Sequence, residues 1–296
     1  MGIFSKKEVI VTHNGVFHAD DIFSCAILSV LHDGNITIVR TRDPEKIASA
    51  DYVVDVGGEH DQDRRRFDHH QKGGAGLREN GIPYASCGLV WKAYGDEICG
   101  NKELARKIDQ MLIQPIDAED NGMEIITRTH GVSPYTIQYF LYTSRPTWKE
   151  TENFDEVFPQ LVKQMKELLL REIKIASDIL DAKEIVEKTY DGSADKRVIV
   201  FDVICPASDI LETHPEPLYI VRPRLDGNWG IKAVRKYDHG FENRKDLPLS
   251  WAGLRDEELQ KITGVSDAIF CHNGRFMAVA KTKDGALKLA QLALSA

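Results

Sequence analysis

The chain lacks closely spaced cysteines, long apolar runs and an excess of positive charge. Its 5 cysteines are spread over 296 residues with no C-x-x-C pair, which argues against a zinc ribbon and favours a reducing compartment. No window approaches the ~18 consecutive apolar residues of a membrane span, and the first residues lack the pattern of a secretory signal. These absences predict a soluble, cytoplasmic protein with no membrane partner.

The formal net charge of −8 argues against a long, non-specific grip on nucleic acid. It still allows a short polyanion to bind in a local basic groove. An acidic total is also expected where several carboxylates surround cations. Hydrophobic residues make up 42% of the chain, which is enough apolar material for one or two sizeable cores without disulfides.

Short apolar runs alternate with helical patterns in the first half of the chain. This order predicts an α/β fold, with a mostly parallel N-terminal sheet flanked by helices. Asp43 followed by Pro44 marks the start of one helix, because Asp caps helices and Pro fits their first position. In such sheets ligands lie beyond the carboxyl ends of the strands. We expect strands at residues 8–12, 35–41 and 52–56, and helices at 20–31, 85–94 and 102–116.

The second half begins with a long charged helical pattern at residues 154–188, which we expect to be interrupted or bent. Further strands are predicted at 197–203, 218–223, 229–234, 268–271 and 276–281, with helices starting at Trp251 and at 285. We therefore expect a metal-binding catalytic domain at 1–150, a helical connector at 151–190 and a smaller, substrate-binding α+β domain at 191–296.

Four short groups of His and Asp residues follow predicted strands or helices before residue 123. Asp55 stands in an apolar strand, where an unpaired carboxylate is costly, so it needs a cation or several donors. Simpler interpretations exist for the other groups: Asp20 or Asp21 as a helix cap, adjacent histidines by chance, and a solvated acidic turn. Their concentration in one α/β domain favours a shared metal site. The candidate ligands are His13, His18, Asp20, Asp55, Asp68, His69, Asp117 and Asp120.

This ligand set is too large for one ion. Imidazole and carboxylate ligands without thiolate suit Mn²⁺, Mg²⁺, Fe²⁺ or Zn²⁺. Three histidines and four or five aspartates fit two divalent ions ~3.5–4 Å apart that share a bridging carboxylate and a water. The residues therefore predict a site for two divalent metal ions.

Seven stretches carry a resemblance to a known family. They are THNGVFHADD, VVDVGG, RRFDHHQ, ASCGLVW, IDAEDNG, LPLSWAGLRDEEL and IFCHNGRF. The chain resembles the DHH phosphoesterase superfamily, named for its Asp-His-His motif, and within it the melanocyte-proliferating-gene (MYG) exonucleases. The stretches occur in the family's order and span nearly the whole chain. One departure is Ala19, where a common variant has Cys, and neither residue is expected to bind the metals.

The resemblance implies a metal-dependent 3′–5′ exonuclease acting on RNA or short single strands, with Mn²⁺ as the leading ion. We expect His13 and Asp20 to hold one metal, with His18 orienting or joining them. Asp55 is the candidate bridge between the two metals and thus a catalytic residue. The alternatives are a phosphatase for pyrophosphate or a dinucleotide, a metal-dependent hydrolase of another substrate, and a non-catalytic metal- or nucleotide-binding module.

The second metal site is expected to form around Asp68, His69 and Asp120, with Asp117 as the rival to Asp120. The resemblance implies that His70, as a catalytic residue, faces the scissile phosphate more than a metal. No protein nucleophile is needed, since two cations make a bridging water acidic. Ser86 and Cys87 are therefore interpreted as the start of a helix.

The second domain is expected to hold the substrate. Arginine binds phosphate with a forked geometry, and aromatic rings stack on bases. Phe276 and Trp251 are candidates for stacking, although Trp251 also fits a core position. The oligomeric state is open, with a homodimer as one possibility. The candidate substrate contacts are Arg235, Arg244, His272 and Arg275.

Overall fold

The structure is a computed structural model that describes residues 6–127, 130–151, 153–236 and 240–296. The chain forms two compact units, Met1–Ser177 and Asp178–Ala296. The division falls inside one long helix. The assignment of catalytic, connecting and substrate-binding roles to separate domains stays a prediction.

The first unit contains a five-stranded sheet with the order β2-β1-β3-β5-β4. Its first four strands are parallel, and only the last runs antiparallel to its neighbour. The predicted mostly parallel sheet is therefore confirmed. The strands are β1 (Glu8–Thr12), β2 (Ile36–Arg40), β3 (Tyr52–Val54), β4 (His60–Asp61) and β5 (Arg66–Phe67).

Six helices accompany this sheet before residue 143 in the described chain. The second begins as predicted, with Pro44 at its first position and the Asp43 carboxylate accepting from the Glu45 amide at 2.9 Å. The pattern predicted at 102–116 forms two helices joined by a π-helical turn, Asp109–Ile113. The helices are α1 (Ala19–Leu31), α2 (Pro44–Ser49), α3 (Ser86–Cys99), α4 (Lys102–Ile108), α5 (Gln114–Asp120) and α6 (Ile137–Tyr142).

The strand order creates a switch point between β1 and β3. From β1 the chain moves outward through α1 to β2, and it then returns through α2 to β3 on the opposite side of β1. At such a point the loops beyond neighbouring strands diverge and leave a crevice for ligands. The loops after β1 and β3 begin with His13 and Asp55, so the topology brings these two groups to one edge.

The long helix α7 (Phe154–Gly192) has 39 residues and spans the boundary between the units. It is one continuous helix with Pro159 inside it, so it is not interrupted, and the alternative of a bent helix stays a prediction. Buried side chains such as Phe158 and Leu161 anchor its first part, and Val186 is buried in its last part. Within the described chain, no helix is both long and apolar enough to cross a bilayer.

The second unit contains a separate five-stranded sheet with the order β6-β7-β8-β10-β9. Its first pair is parallel and the other pairs are antiparallel, which fits the predicted α+β class. The strands are β6 (Val198–Val200), β7 (Tyr219–Pro223), β8 (Trp229–Ala233), β9 (Ala268–Cys271) and β10 (Met277–Ala280).

The helices of the second unit are α8 (Ala207–Leu211), α9 (Asp256–Thr263) and α10 (Lys283–Ser295). The helix predicted to start at Trp251 starts at Asp256 instead, and Trp251 ends a short 3₁₀ turn, Leu249–Trp251. The Trp251 side chain packs in the core at 4% exposure. It therefore has too little free surface to stack on a base.

Candidate metal centre

A cavity of about 760 Å³, here called the metal cavity, opens at the carboxyl edge of the first sheet. Candidate ligands from three of the four sequence groups reach its wall directly after β1, β3 and β5. The fourth group reaches it from the end of α5. The predicted residues that line it are His13, His18, Asp55, Asp68, His70 and Asp120.

Asp55 lies at the centre of this cluster. Its Oδ2 is 3.2 Å from His13 Nε2, and its Oδ1 is 3.5 Å from His69 Nε2. The residue has φ +55°, a left-handed conformation that is unfavourable for a non-glycine residue. Gly57 and Gly58 follow it with φ +100° and +68°. This tight turn lets one carboxylate present one oxygen to each of two histidines.

The potential ligand atoms form overlapping groups whose members lie within 4.8 Å of one another. Within the three groups at the cavity, Asp55 and His69 each belong to two, as expected of residues between two ions. Asp20 is grouped with His69 and Asp120, and in a separate buried group with Cys87 and Asp117, and not, as predicted, with His13. The groups at the cavity are His13, His18 and Asp55; Asp55, His69 and His70; and Asp20, His69 and Asp120.

Asp68 orients its neighbour His70. Its Oδ1 accepts hydrogen bonds from the His70 backbone amide at 3.1 Å and lies 2.8 Å from His70 Nδ1. Its Oδ2 accepts from the Gly58 amide at 2.5 Å. The Asp68 side chain is 2% exposed, whereas that of His70 is 62% exposed. Asp68 is absent from the ligand groups found in the described chain, so its geometry favours a positioning role over the predicted metal ligation.

Asp20 holds the start of α3. The first helical amides lack a side-chain acceptor from their own N-cap, Ala85. The fully buried Asp20 carboxylate replaces it, accepting from Ser86 N at 3.2 Å and Cys87 N at 2.5 Å. The interpretation of Ser86 and Cys87 as a helix start is confirmed. Asp20 thus caps α3 and not its own helix, and the sequence did not indicate this long-range cap.

Asp21 caps its own helix, α1. Its Oδ1 accepts from the His18 amide at 2.8 Å, and its Oδ2 lies 3.3 Å from His13 Nε2. Burial raises the pKa of Asp21 to about 7, although His13 acts in the opposite direction. The predicted cap in this loop is therefore real, and the capping carboxylate also orients His13.

Asp120 lies at the surface of the metal cavity, whereas Asp117 lies in the protein interior. Asp120 Oδ2 is 3.2 Å from His69 Nε2 and lines the metal cavity. Asp117 is fully buried behind it, where its carboxylate lies 2.6 Å from Arg78 Nη1 and accepts from Gly88 N at 2.9 Å. Burial raises the pKa of Asp117 to about 7 although Arg78 acts in the opposite direction. Because Asp117 pairs with Arg78 and does not line the cavity, the geometry favours Asp120 as the ligand at the cavity.

The cluster carries more buried negative charge than the chain itself neutralises. Burial raises the pKa of Asp20 well above its usual value, and the nearby Asp55 raises it further. Burial also opposes ionisation of Asp55, but the His13 and His69 rings outweigh it and lower the pKa of Asp55. Burial acts to lower the pKa of His69, yet Asp120 and Asp55 raise it to about 11. In the metal-free protein, protons bound to Asp20 and His69 therefore offset negative charge that divalent cations could offset instead.

Two atoms test this fit directly. Asp55 Oδ1 and His69 Nε2 are buried, and neither completes a well-aligned hydrogen bond within the described chain. Buried polar atoms without such partners are costly and rare in folded proteins. Both are good ligands for Mn²⁺, Fe²⁺ or Zn²⁺. The residues present therefore suit divalent metal ions.

Two of the substrate-contact candidates in the second unit already have protein partners. The Arg244 guanidinium donates to the carbonyl oxygens of Glu212 at 2.6 Å and Pro217 at 3.1 Å, and also to that of His214. Arg275 Nη2 lies 2.6 Å from Asp246 Oδ2. This placement favours a structural role for Arg244.

The other two candidates lie beside aromatic rings. The Arg235 guanidinium lies 5.4 Å from the Phe241 ring centroid. The His272 ring packs 4.3 Å from that of Phe276, and its Nδ1 accepts from the Gly274 amide at 2.9 Å. The role of these residues in substrate binding stays a prediction.

The metal cavity also contains residues that the motifs did not indicate. Arg42, two residues beyond β2, lines it and makes no ion pair with any residue that the structure describes. Gln138 and Tyr142 line it from α6, and the Gln138 amide donates to the Tyr142 hydroxyl at 2.6 Å. The only sequence feature that could have indicated Arg42 is its position as a positively charged residue just after a predicted parallel strand.

Known proteins resemble this chain over most of its length. MYG1 exonuclease of Homo sapiens is 32% identical, with 97% of this chain and 85% of that protein covered. MYG1 protein of Dictyostelium discoideum is 30% identical, with 95% and 94% covered. A crystal structure of exonuclease RecJ bound to manganese matches at 14% identity and a TM-score of 0.28, with 98% of this chain and 90% of that chain covered.

The family assignment extends over both units. The MYG1 exonuclease family model, described as Uncharacterised protein family (UPF0160), matches residues 9–294. This range includes all the ligand groups and every residue of both sheets except Glu8, the first residue of β1. The resemblance that the seven motifs indicated is therefore confirmed, and the chain belongs to the MYG1 exonuclease family, UPF0160.

Proposed function

We propose that this protein is a metal-dependent phosphodiester hydrolase that acts as a 3′–5′ exonuclease on RNA or short single-stranded nucleic acid. The observation that carries the proposal is the Asp55 carboxylate, which presents one oxygen to His13 and the other to His69. The name of the Homo sapiens relative, MYG1 exonuclease, supports the nuclease class. We also retain a cytoplasmic location and a homodimer as predictions.

The donor set would suit two ions. His13 and His18 would hold one and Asp20, His69 and Asp120 the other, with Asp55 shared between them. Two bound divalent ions, with Mn²⁺ as the leading candidate, supply Lewis acidity that makes water acidic near neutral pH and offsets charge on the phosphate. The buried helix amides that hold Asp20 fix one ligand before any ion binds.

The remaining residues of the cavity bind and orient the phosphodiester. Asp68 accepts from His70 Nδ1, so the imidazolium form of this exposed ring is the one that can also donate, from Nε2, to a phosphate oxygen. Arg42 adds a positive charge on the same wall. A hydrogen-bond donor and a cation at this wall favour the charged transition state of phosphoryl transfer.

A second candidate is a phosphatase for small phosphoesters such as pyrophosphate or a dinucleotide. It is favoured by the bounded cavity of about 760 Å³, which is within the usual range for small-molecule sites. The two candidates share the metal chemistry and differ in substrate length.

The proposal is tested with purified protein, Mn²⁺ and RNA labelled at its 5′ end. We expect stepwise shortening from the 3′ end with release of mononucleotides. Asp55→Asn should remove this activity while leaving the circular dichroism spectrum unchanged. Asp202→Asn is the matched control, because this carboxylate is 75% exposed in the second unit and pairs only with Lys283 among the described residues.

Three outcomes would contradict parts of the proposal. Hydrolysis of pyrophosphate or a dinucleotide, but of no longer strand, would favour the second candidate. Full activity of Asp55→Asn would refute the role of the shared carboxylate. A protein that binds no Mn²⁺ and cleaves no chromogenic phosphodiester would instead be a binding module.

A further inference from the structure

An apolar groove adjoins the metal cavity in the first unit. It has a volume of about 350 Å³, and Met123, Ile125, Ile126 and Tyr139 are among its lining residues. Glu119 lines both the groove and the metal cavity, so the two are neighbours. Single exposed apolar side chains are common, but a contiguous set beside a cavity is typical of a binding surface.

Three tyrosines form a row that leads away from the metal cavity. Tyr142 lines the cavity and Tyr139 lines the groove, and the Tyr135 ring contacts that of Tyr139. Their ring centroids are 6.1 Å apart from Tyr135 to Tyr139 and 6.1 Å apart from Tyr139 to Tyr142. Tyr135 is 67% and Tyr139 50% exposed, so both present ring surface to a ligand.

Charge separates the two parts of this surface. The charged residues lining the apolar groove in the described chain are Glu119 and Glu124, which repel phosphate. Positive charge lies at the metal cavity, where Arg42 lines the wall and the Arg145 guanidinium stacks 3.5 Å from the Tyr142 ring centroid. A ligand that fits both parts has a phosphate at the cavity and flat, uncharged groups along the groove.

We propose that the tyrosine row binds the unpaired bases of a single nucleic-acid strand whose scissile phosphate lies in the metal cavity. The proposal rests on the proposed function and specifies its substrate class. Aromatic rings stack on successive bases of single strands without requiring a sequence. A duplex cannot use the row, because its bases already stack on one another. The enzyme therefore degrades single strands and stops at paired regions.

The test combines a ring deletion in the protein with a base deletion in the strand. Tyr139→Leu removes the central ring at a half-exposed position, and Tyr139→Phe keeps it. Fluorescence anisotropy in EDTA measures the affinity for a short labelled strand independently of hydrolysis. We expect Tyr139→Leu to weaken binding about tenfold, the usual loss for one base–ring stack, and Tyr139→Phe to stay close to the wild type.

A strand with abasic sites next to its 3′ end provides the second arm. On this strand the wild type and Tyr139→Leu should bind equally, since the stacking partner is absent from both complexes. Phe140→Leu is the matched control on the same helix. This ring is 42% exposed and is absent from the linings of the groove and the cavity.

With Mn²⁺, the ratio of kcat/KM for the strand to that for bis(p-nitrophenyl) phosphate should fall about tenfold in Tyr139→Leu. Equal strand affinity of Tyr139→Leu and wild type would overturn the proposal. A loss of affinity in Tyr139→Leu that persists on the abasic strand would also overturn it. So would a wild-type protein that is a dimer and becomes a monomer in Tyr139→Leu, because the row would then be a contact between protomers. Ring-dependent binding without hydrolysis of any substrate would support the row and overturn the exonuclease proposal.

Discussion

Gly88 offers a sharp test of how the candidate metal centre is supported. It lies in the first turn of α3, and its amide donates to Asp117 at 2.9 Å. A Cβ atom at this position would lie 1.8 Å from Asp117 Oδ2 and 2.6 Å from Arg78 Nη2. These atoms belong to a buried ion pair and are not free ends of flexible side chains. Gly88→Ala therefore has to separate the pair or displace the start of α3.

The magnitude follows from these alternatives. Overpacking a rigid interior by a methyl group costs about 1–3 kcal/mol, and disrupting a buried ion pair costs about 3–5 kcal/mol. The better helix propensity of alanine offsets about 1 kcal/mol of this. We expect Gly88→Ala to lower the free energy of unfolding of the first unit by about 2–4 kcal/mol, the cost of separating the ion pair less the gain in helix propensity. Binding of Mn²⁺ should weaken too, because the same helix start holds Asp20.

Urea unfolding measures the global effect, and hydrogen exchange of the α3 amides reports the local one. Gly192→Ala is the matched control, since no atom lies within 4 Å of its Cβ position and the residue ends a helix. A Gly88→Ala protein within about 0.5 kcal/mol of the wild type, with unchanged exchange in α3, would refute the packing argument.

Three further predictions concern the metal centre. Asp20→Ala should lower the free energy of unfolding by about 1 kcal/mol more than Asp20→Asn, because the amide oxygen of Asn still caps α3; equal urea midpoints would contradict this. Mn²⁺ at 100 times its Kd should stabilise the fold by about 2.7 kcal/mol, and an unchanged melting temperature would contradict it. Metal binding should release protons, since Asp120 and Asp55 overcome burial and raise the pKa of His69 to about 11 in the metal-free protein. Calorimetry in buffers of different ionisation enthalpy should show this release, with affinity falling as the pH falls.

Local sequence patterns were sufficient for most of the fold. Alternating apolar runs and helix starts located β1, β2, β3, the strands of the second unit and the longer helices to within a few residues, and their order implied the parallel sheet. The short elements β4, β5, α6 and α8 were not predicted. The pattern failed at Trp251, where a buried aromatic followed by small residues resembled a helix start. The helix begins at Asp256, and the Trp251 ring fills the core of the second unit.

Long-range polar contacts were beyond the reach of such patterns. The Arg78–Asp117 pair joins a loop to α5, and the backbone carbonyls around Arg244 come from residues up to 32 positions away. Each isolated residue type fits several roles: an arginine fits a phosphate contact or a structural tie equally well. Only the three-dimensional neighbours distinguish the two, which is why Arg244 was a reasonable candidate and its geometry favours another role.

Asp20 shows how structural and chemical roles can coincide in one side chain. Its hydrogen bonds to Ser86 and Cys87 connect residues 66 and 67 positions apart. A carboxylate oxygen of Asp20 also lies within 4.8 Å of the potential ligand atoms of His69 and Asp120. Amide donors stabilise the carboxylate form and restrict its orientation before a cation arrives, so metal binding loses less conformational entropy. The same contacts make the position of α3 a determinant of metal affinity. Substitutions beneath that helix, although remote from solvent and substrate, should therefore alter catalysis through the ligand that the helix holds.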